Sequence, residues 1–257
     1  MPIPELVTLV VLSGLLTALG VTVVHKTVFR HVKEGHNEVL VPIFLTAGTI
    51  YAVFLAFVVV AVWEANDAAR LNAADEASSL STLYRGTTGI TPSAGQDLRQ
   101  ILRAYTEAVV GDEWAIQAKT GGVSPQARRA SVELFQVFQT AAMAHVDPSL
   151  KSMVLTLATQ IQSDRNKRTL QASESLSPAM WIATIGGGTL VLFMGLFLFM
   201  ENLWPHILMQ STLSLLIASL LCIAYFFSTP FSGPLALHPD SFEHSLSVFS
   251  SVDQMNR

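Results

Sequence analysis

Six residues, Ile50, Phe54, Phe57, Ala61, Glu64 and Asp75, carry the chemistry this sequence offers most plainly. In a helix each residue advances by about 100°, so all six fall within about 60° of Phe57. Two aromatic rings then share a line with two carboxylates. Copies packed around an axis with that line inward would form hydrophobic rings from Phe54 and Phe57. Glu64 and Asp75 would form acidic rings at one mouth. Hydrophobic constrictions gate by dewetting, and acidic rings favour cations. The competing reading is structural: the phenylalanines pack on neighbouring helices and Glu64 meets headgroup water.

Other chemistry is sparse. The seven histidines, at 25, 31, 36, 145, 206, 238 and 244, have no i,i+4 pair and no ligand spacing with the single cysteine, Cys222. No metal site is expected from them. His238 and His244 lie near Asp240 and Glu243, in a segment expected to be mobile. There is no G-x-S-x-G elbow, P-loop or G-x-G-x-x-G, so no catalytic residue, cofactor or enzyme activity is expected. "GTTG" at 86–89 reads as a turn. "GDEW" at 111–114 reads as a helix end that packs through Trp114, with a ligand site as the alternative.

The elements that must position the six residues follow from composition. The chain has 257 residues, 51% apolar and 13% charged. Soluble domains carry about 25% charged residues, so this is the profile of a membrane protein with a modest aqueous part. A net charge of −4 argues against a nucleic-acid partner. Cys222 lies in an apolar run, which excludes a disulfide framework. Four apolar runs, 6–24, 41–63, 179–200 and 207–227, reach the roughly 20 residues a membrane helix needs. None contains Asp, Glu, Lys, Arg or His. Glu5 precedes the first run and no basic region does, so Leu6–Val24 is expected to be a retained span and not a cleaved signal. Trp63, Trp181 and Trp204 stand at run ends, where indoles favour the membrane interface. Mid-span ionisable groups mark transport paths, and their absence here favours a passive pore over a coupled transporter.

Between spans two and three, residues 64–177 read as an all-helical aqueous domain. Thr91-Pro92, Ser124-Pro125, Asp147-Pro148 and Ser177-Pro178 each pair a capping residue with proline at the first helical position. They predict helix starts near 92, 125, 148 and 178. Gly86/Gly89, Gly111 and Gly121-Gly122 are expected breaks. No segment reads as a strand. From Thr49 to Arg85 there are 37 residues without Gly or Pro. That stretch predicts one rod of about 55 Å running from span two into the aqueous part. The fold class is therefore all-α: a hairpin over 6–63, an inserted helical domain over 64–177, and a second hairpin over 178–228. An extended tail over 229–257 completes it.

Small and polar residues in the spans point to helix contacts. Ser13, Gly14, Thr17 and Gly20 share one face of the first span. Gly186-Gly187-Gly188 and Gly195 lie in the third, and Gln210, Ser211, Thr212 and Ser214 in the fourth. Close packing and hydrogen bonds across helices account for them. A flexing point at the triple glycine, or a wet cavity at the fourth span, is the alternative. Asp67 and Arg70 form an i,i+3 pair, worth only a few tenths of a kcal/mol on an exposed helix.

Three stretches carry a family resemblance: "YAVFLAFVVVAVWEANDAARLNAADEASSLSTLYR", "LRAYTEAVVGDEW" and "PFSGPLALHPDSF". In this order they resemble the bacterial bestrophin-like membrane proteins over about residues 5–245. Many members carry a charged pair before PF, where this chain has Ser228-Thr229. The resemblance implies likeness to bestrophins, pentameric anion channels whose second membrane helix lines the pore and continues into a helical cytosolic domain. Bestrophins also bind calcium at a run of acids after the fourth span. Only Asp240 and Glu243 stand there, so calcium is not carried over. The resemblance further implies the bacterial inner membrane, with the large domain and both termini cytoplasmic. Charge does not decide orientation: Lys26, Arg30 and Lys33 on one side oppose Arg70, Arg165, Lys167 and Arg168 on the other.

The expected function is a homo-oligomeric passive ion channel in the lipid bilayer, pentameric by likeness, with span two lining the pore and a cation bias from its acids. The alternative is a membrane-anchored sensor or scaffold whose helical domain binds a protein partner.

Overall fold

The structure, a computed structural model, describes residues 3–29 and 35–255. Arg30 and Lys33, invoked above for orientation, and His31 lie outside the described residues, as do residues 256 and 257. The described residues form ten α-helices and no strand. They are α1 (Ile3–Thr27), α2 (His36–Gly86), α3 (Pro92–Ala108), α4 (Trp114–Thr120) and α5 (Pro125–Gln136). They continue with α6 (Ala141–Ala144), α7 (Pro148–Ser173), α8 (Pro178–Leu196), α9 (Leu203–Phe227) and α10 (Asp240–Met255). The helices group into two compact units, 1–64 with 176–228, and 65–175 with 229–257.

The first unit holds α1, the first part of α2, α8 and α9. Each is long and apolar enough to cross a membrane, with mean hydropathies of 2.3, 2.5, 1.7 and 2.1. Only 17–22% of these apolar windows is buried within the chain. Hydrophobic surface facing outward on this scale suits lipid or another chain, not water.

Where the helices do meet, small residues set the spacing. A Cβ on Gly187 would lie 2.7 Å from Tyr51 Cδ2, and one on Gly188 2.6 Å from Tyr51 Oη. A Cβ on Gly14 would meet Leu215, and one on Gly20 would meet Leu196. Gly186 faces open space. The triple glycine is therefore a seat for the Tyr51 ring, whose hydroxyl donates to Thr184 O at 3.1 Å. Polar side chains complete the seams. Thr17 donates to Ser214 Oγ (3.0 Å), Ser211 to Gly14 O (3.2 Å) and Gln210 to Leu192 O (2.8 Å). Thr212 instead bonds back within its own helix.

Two boundaries differ from expectation. Helix α8 stops at Leu196, not at 200. Backbone groups of the turn beyond it find partners on α2: His36 Nε2 meets Phe197 O, and Asn37 pairs with both N–H and O of Phe199. The side chains that make those bonds stand in the first turn of α2, which is helical from His36, five residues before its apolar run.

The second unit is a helical bundle around one core. The predicted starts at 92, 125, 148 and 178 are all helix starts with proline in the first turn. Ser124, Asp147 and Ser177 cap their helices by accepting backbone N–H bonds, whereas Thr91 makes no side-chain cap. Gly86 ends α2. Gly121 ends α4 at φ +66, where a Cβ would lie 2.7 Å from Ala172 O. Gly111 breaks nothing. It sits inside a π-helical turn, Val109–Glu113, that joins α3 to α4.

The tail also corrects the sequence reading. Residues 229–257 were expected as an extended, mobile segment, yet Asp240–Met255 is helical and belongs to the second unit. Serines suggested a loop, but Phe242, Ser245, Phe249 and Val252 recur at helical spacing and are all buried. Tyr84 stacks on Phe249 with centroids 3.9 Å apart.

Candidate functional site: an unpartnered helix face and a buried charge cluster

Helix α2 contributes a packed seam and a bare face to each unit. In the first unit Tyr51, Leu55, Val58 and Val62 are buried. They lie about 100° to 160° around the helix from Phe57. Opposite them, Ile50 is 66% and Phe57 71% exposed, and Ala61 and Glu64 are exposed too. Phe54 differs from its expected neighbours. It is half-buried and packs against the Tyr51, Leu55, Val191 and Ile217 cluster. Its position, about 60° from Phe57, explains this: it stands at the border between seam and bare face.

In the second unit the seam continues as Ala69, Ala73, Glu76, Leu80 and Leu83, all buried. Ala68, Leu71 and Asp75 are exposed. The alanines allow close helix approach, and Asp67 and Arg70 pair at 2.7 Å on the surface. Of the six residues singled out by spacing, five are exposed and one is half-buried, and no hydrogen bond or ion pair engages Glu64 or Asp75 among the described residues.

Glu76 and Arg168 belong to a second arrangement, one that spacing did not single out. The α2 seam is spaced i, i+4, i+7, i+11, i+14, with Glu76 third. On α7 the same spacing gives Val154, Ala158, Ile161, Arg165 and Arg168, also all buried. Helix α2 thus carries a charge in the middle of its apolar stripe, and α7 carries two at the end of its own. Arg168 donates from Nε to Glu76 Oε2 (2.8 Å) and from Nη2 to Glu76 Oε1 (3.1 Å) and Glu113 Oε1 (2.9 Å). Its Nη1 donates to Gln117 Oε1 at 3.0 Å. The guanidinium lies 5.7 Å from the Trp114 ring centroid and 5.4 Å from that of Phe242. Arg165 Nη2 reaches Glu113 Oε2 at 2.8 Å. Tyr105 donates to Glu76, and the Ser124 N–H to Glu113 Oε2 at 3.1 Å.

Two carboxylates and two guanidiniums close on each other with almost no exposure. Burial alone would lower the basicity of Arg168, but Glu76 and Tyr105 more than offset it, so its charge is held firmly. The Tyr105 phenol is pushed well above its ordinary value, first by burial and then by the Glu76 charge. It stays protonated and donates.

The π turn makes this possible. One extra residue in the turn brings both Val109 and Glu113 inward, with Trp114 and Gln117 following. "GDEW" is therefore no helix end: Glu113 is a fully buried ion-pair partner, and Trp114 is the packing residue it was expected to be. Trp114 also ties in the tail. Its Nε1 donates to Leu237 O at 2.8 Å, and Phe231 and Phe242 pack edge-on against it. A neutral lock of this kind positions α2, α3, α4, α7 and α10. It has no nucleophile, and no cluster of metal ligands exists among the described residues.

Comparison with known proteins supports the architecture. The family model of the Bestrophin-like domain matches residues 11–242. No curated protein matches the chain. Among solved structures, a bacterial Bestrophin homolog from Klebsiella pneumoniae is similar at a TM-score of 0.71. It has 14% identity, and the match covers 95% of this chain and 97% of that one. A leucine-to-threonine variant of that homolog gives 0.72 at 14% identity, covering 96% and 98%. A tryptophan-to-alanine variant gives 0.73 at 14% identity, covering 97% of each chain. At such identity the likeness is one of fold, an all-helical bestrophin fold with four apolar helices. With nine-tenths of its length matched by the family model, the chain belongs to the Bestrophin-like domain family.

Proposed function

We propose that this chain is a homo-oligomeric passive ion channel whose second apolar helix lines the pore. The observation that carries the reading is the bare face of α2. Phe57 is 71% exposed, and the exposed acids Glu64 and Asp75 follow at helical register on the side away from the chain's own packing. Apolar residues alone would suit lipid equally well. Carboxylates in register with them carry the same face beyond the apolar run, where acids around an axis would meet the ions entering it. In this arrangement Phe57 and Ile50 form the hydrophobic constriction, Phe54 braces Phe57 from its half-buried position, and Ala61 widens the way to the acids. Glu64 and Asp75 favour cations. This departs from the anion selectivity that a bestrophin resemblance implies, and the local charge is the stronger argument.

On the same reading α1, α2, α8 and α9 span a bacterial inner membrane, with the 65–175 domain between spans two and three. That domain and both termini face the cytoplasm. Five copies surround the axis, by likeness. The partners are then lipid, ions and further copies of the chain.

Planar-bilayer recording on the purified protein is the test. Cation-preferring single-channel conductance is expected, together with a ring-shaped oligomer. Silence across salts, pH and voltage, or a stable monomer, would refute the reading.

A further inference from the structure

We infer that the groove between α5 and α7 binds a small organic anion, a carboxylate carried on a short apolar or aromatic body. The groove has a volume of about 580 Å³, within the range of small-molecule sites. It is built from one face of each helix: Arg128, Val132, Phe135 and Gln136 from α5, and Gln162, Arg165, Asn166 and Thr169 from α7. Two arginines line it, the exposed Arg128 and Arg165, which is only 3% exposed, and no carboxylate does.

The two arginines are differently held. Arg165 spends Nη1 and Nη2 on Glu113 and Tyr105, and its Nε donates to no described residue. Its position is fixed by the buried cluster, so it is preorganised for a ligand. Arg128 is exposed, and its guanidinium has no hydrogen bond or ion pair among the described residues. A carboxylate there would gain a charge-assisted pair from the Arg128 guanidinium, with Arg165 Nε as the one further donor that arginine has left, and the Gln136 and Asn166 amides are within the same lining. The apolar part would lie on Val132, which is 50% exposed, and on half-buried Phe135. Phosphate or sulfate would satisfy the arginines but leave that apolar wall wet. A neutral amide of the same shape would leave Arg128 without a counter-charge.

The experiment uses the purified full-length protein in detergent, with benzoate as probe and benzamide and inorganic phosphate as controls at matched ionic strength, read by calorimetry. Saturable benzoate binding is expected, with both controls at least about tenfold weaker. Arg128→Ala should weaken benzoate about tenfold while the melting temperature of the free protein stays unchanged, since Arg128 holds no structural partner. Phe135→Ala should weaken benzoate and leave phosphate unaffected. The inference is overturned if benzoate fails to saturate at tens of millimolar. It is equally overturned if either control binds as tightly, or if Arg128→Ala binds benzoate like the parent.

Discussion

Arg168 and Glu76 meet edge to edge, Nε to Oε2 at 2.8 Å and Nη2 to Oε1 at 3.1 Å, with neither side chain exposed to solvent. Taking away one partner leaves the other charged and buried, which costs about 3–5 kcal/mol. Glu76→Leu and Arg168→Met should each destabilise the purified protein by that order. The double variant should lose clearly less than the sum, because Glu113 and Arg165 still balance each other. Chemical unfolding of the four proteins in a double-mutant cycle measures the coupling. Strict additivity would show that the pair does not act as one unit.

Alkaline stability should report on Tyr105. Its phenol is held above the ordinary value of 10.0 by burial and then by Glu76. An unfolded tyrosine releases its proton near pH 10 while the folded one keeps it. The stabilisation is therefore complete below about pH 10 and is lost as pH rises toward the folded value. Tyr105→Phe should start less stable, by about 1.5–3 kcal/mol for the lost bond to a charged partner. It should also decline less steeply above pH 10. Tyr84, likewise raised by burial, leaves a residual slope. Thermal melts from pH 8 to 11.5 give both quantities.

The glycines of α8 should separate sharply. At Gly188 an added Cβ would stand 2.6 Å from Tyr51 Oη, whereas Gly186 has nothing near. Gly188→Ala should destabilise by about 1–3 kcal/mol through overpacking. Gly186→Ala should be neutral or mildly stabilising, since alanine is the better helix former. Melting of the two variants in detergent decides it; equal effects would mean the triple glycine serves flexibility and not the Tyr51 seat.

Selectivity tests the proposed pore line directly. Glu64→Gln and Asp75→Asn should each shift the bilayer reversal potential in a salt gradient toward zero, and the double variant should shift it further. Phe57→Ala should raise conductance by widening the constriction. Unchanged reversal potentials would remove both acids from the ion path.

Much of this fold is legible in the sequence because the signals are local. Proline after a capping residue marks four helix starts, and long apolar runs mark the four candidate spans. Five of the six residues grouped by helical spacing on α2 are exposed, and that spacing is equally local, whereas half-buried Phe54 depends on contacts with other helices. The charge cluster was not legible. Glu76, Glu113 and the arginine pair of α7 are far apart in the chain, and ionised residues are rarely fully buried. The signal was present but faint: both Glu76 and the two arginines occupy positions that the apolar stripe of their own helix reserves for the core. Helix α10 was hidden by composition. Serine and aspartate read as loop, and the four buried positions that make it helical are few and spread over eleven residues.

The contact between Phe242 and Arg168 also orders the making of the protein. Ribosomes deliver the chain from its N-terminus, so Glu76, Glu113 and Arg168 emerge well before Phe242, and α8 and α9 lie in between. One wall of the lock is therefore missing until both of those apolar helices have been synthesised. The lock is complete only once α10 has been made.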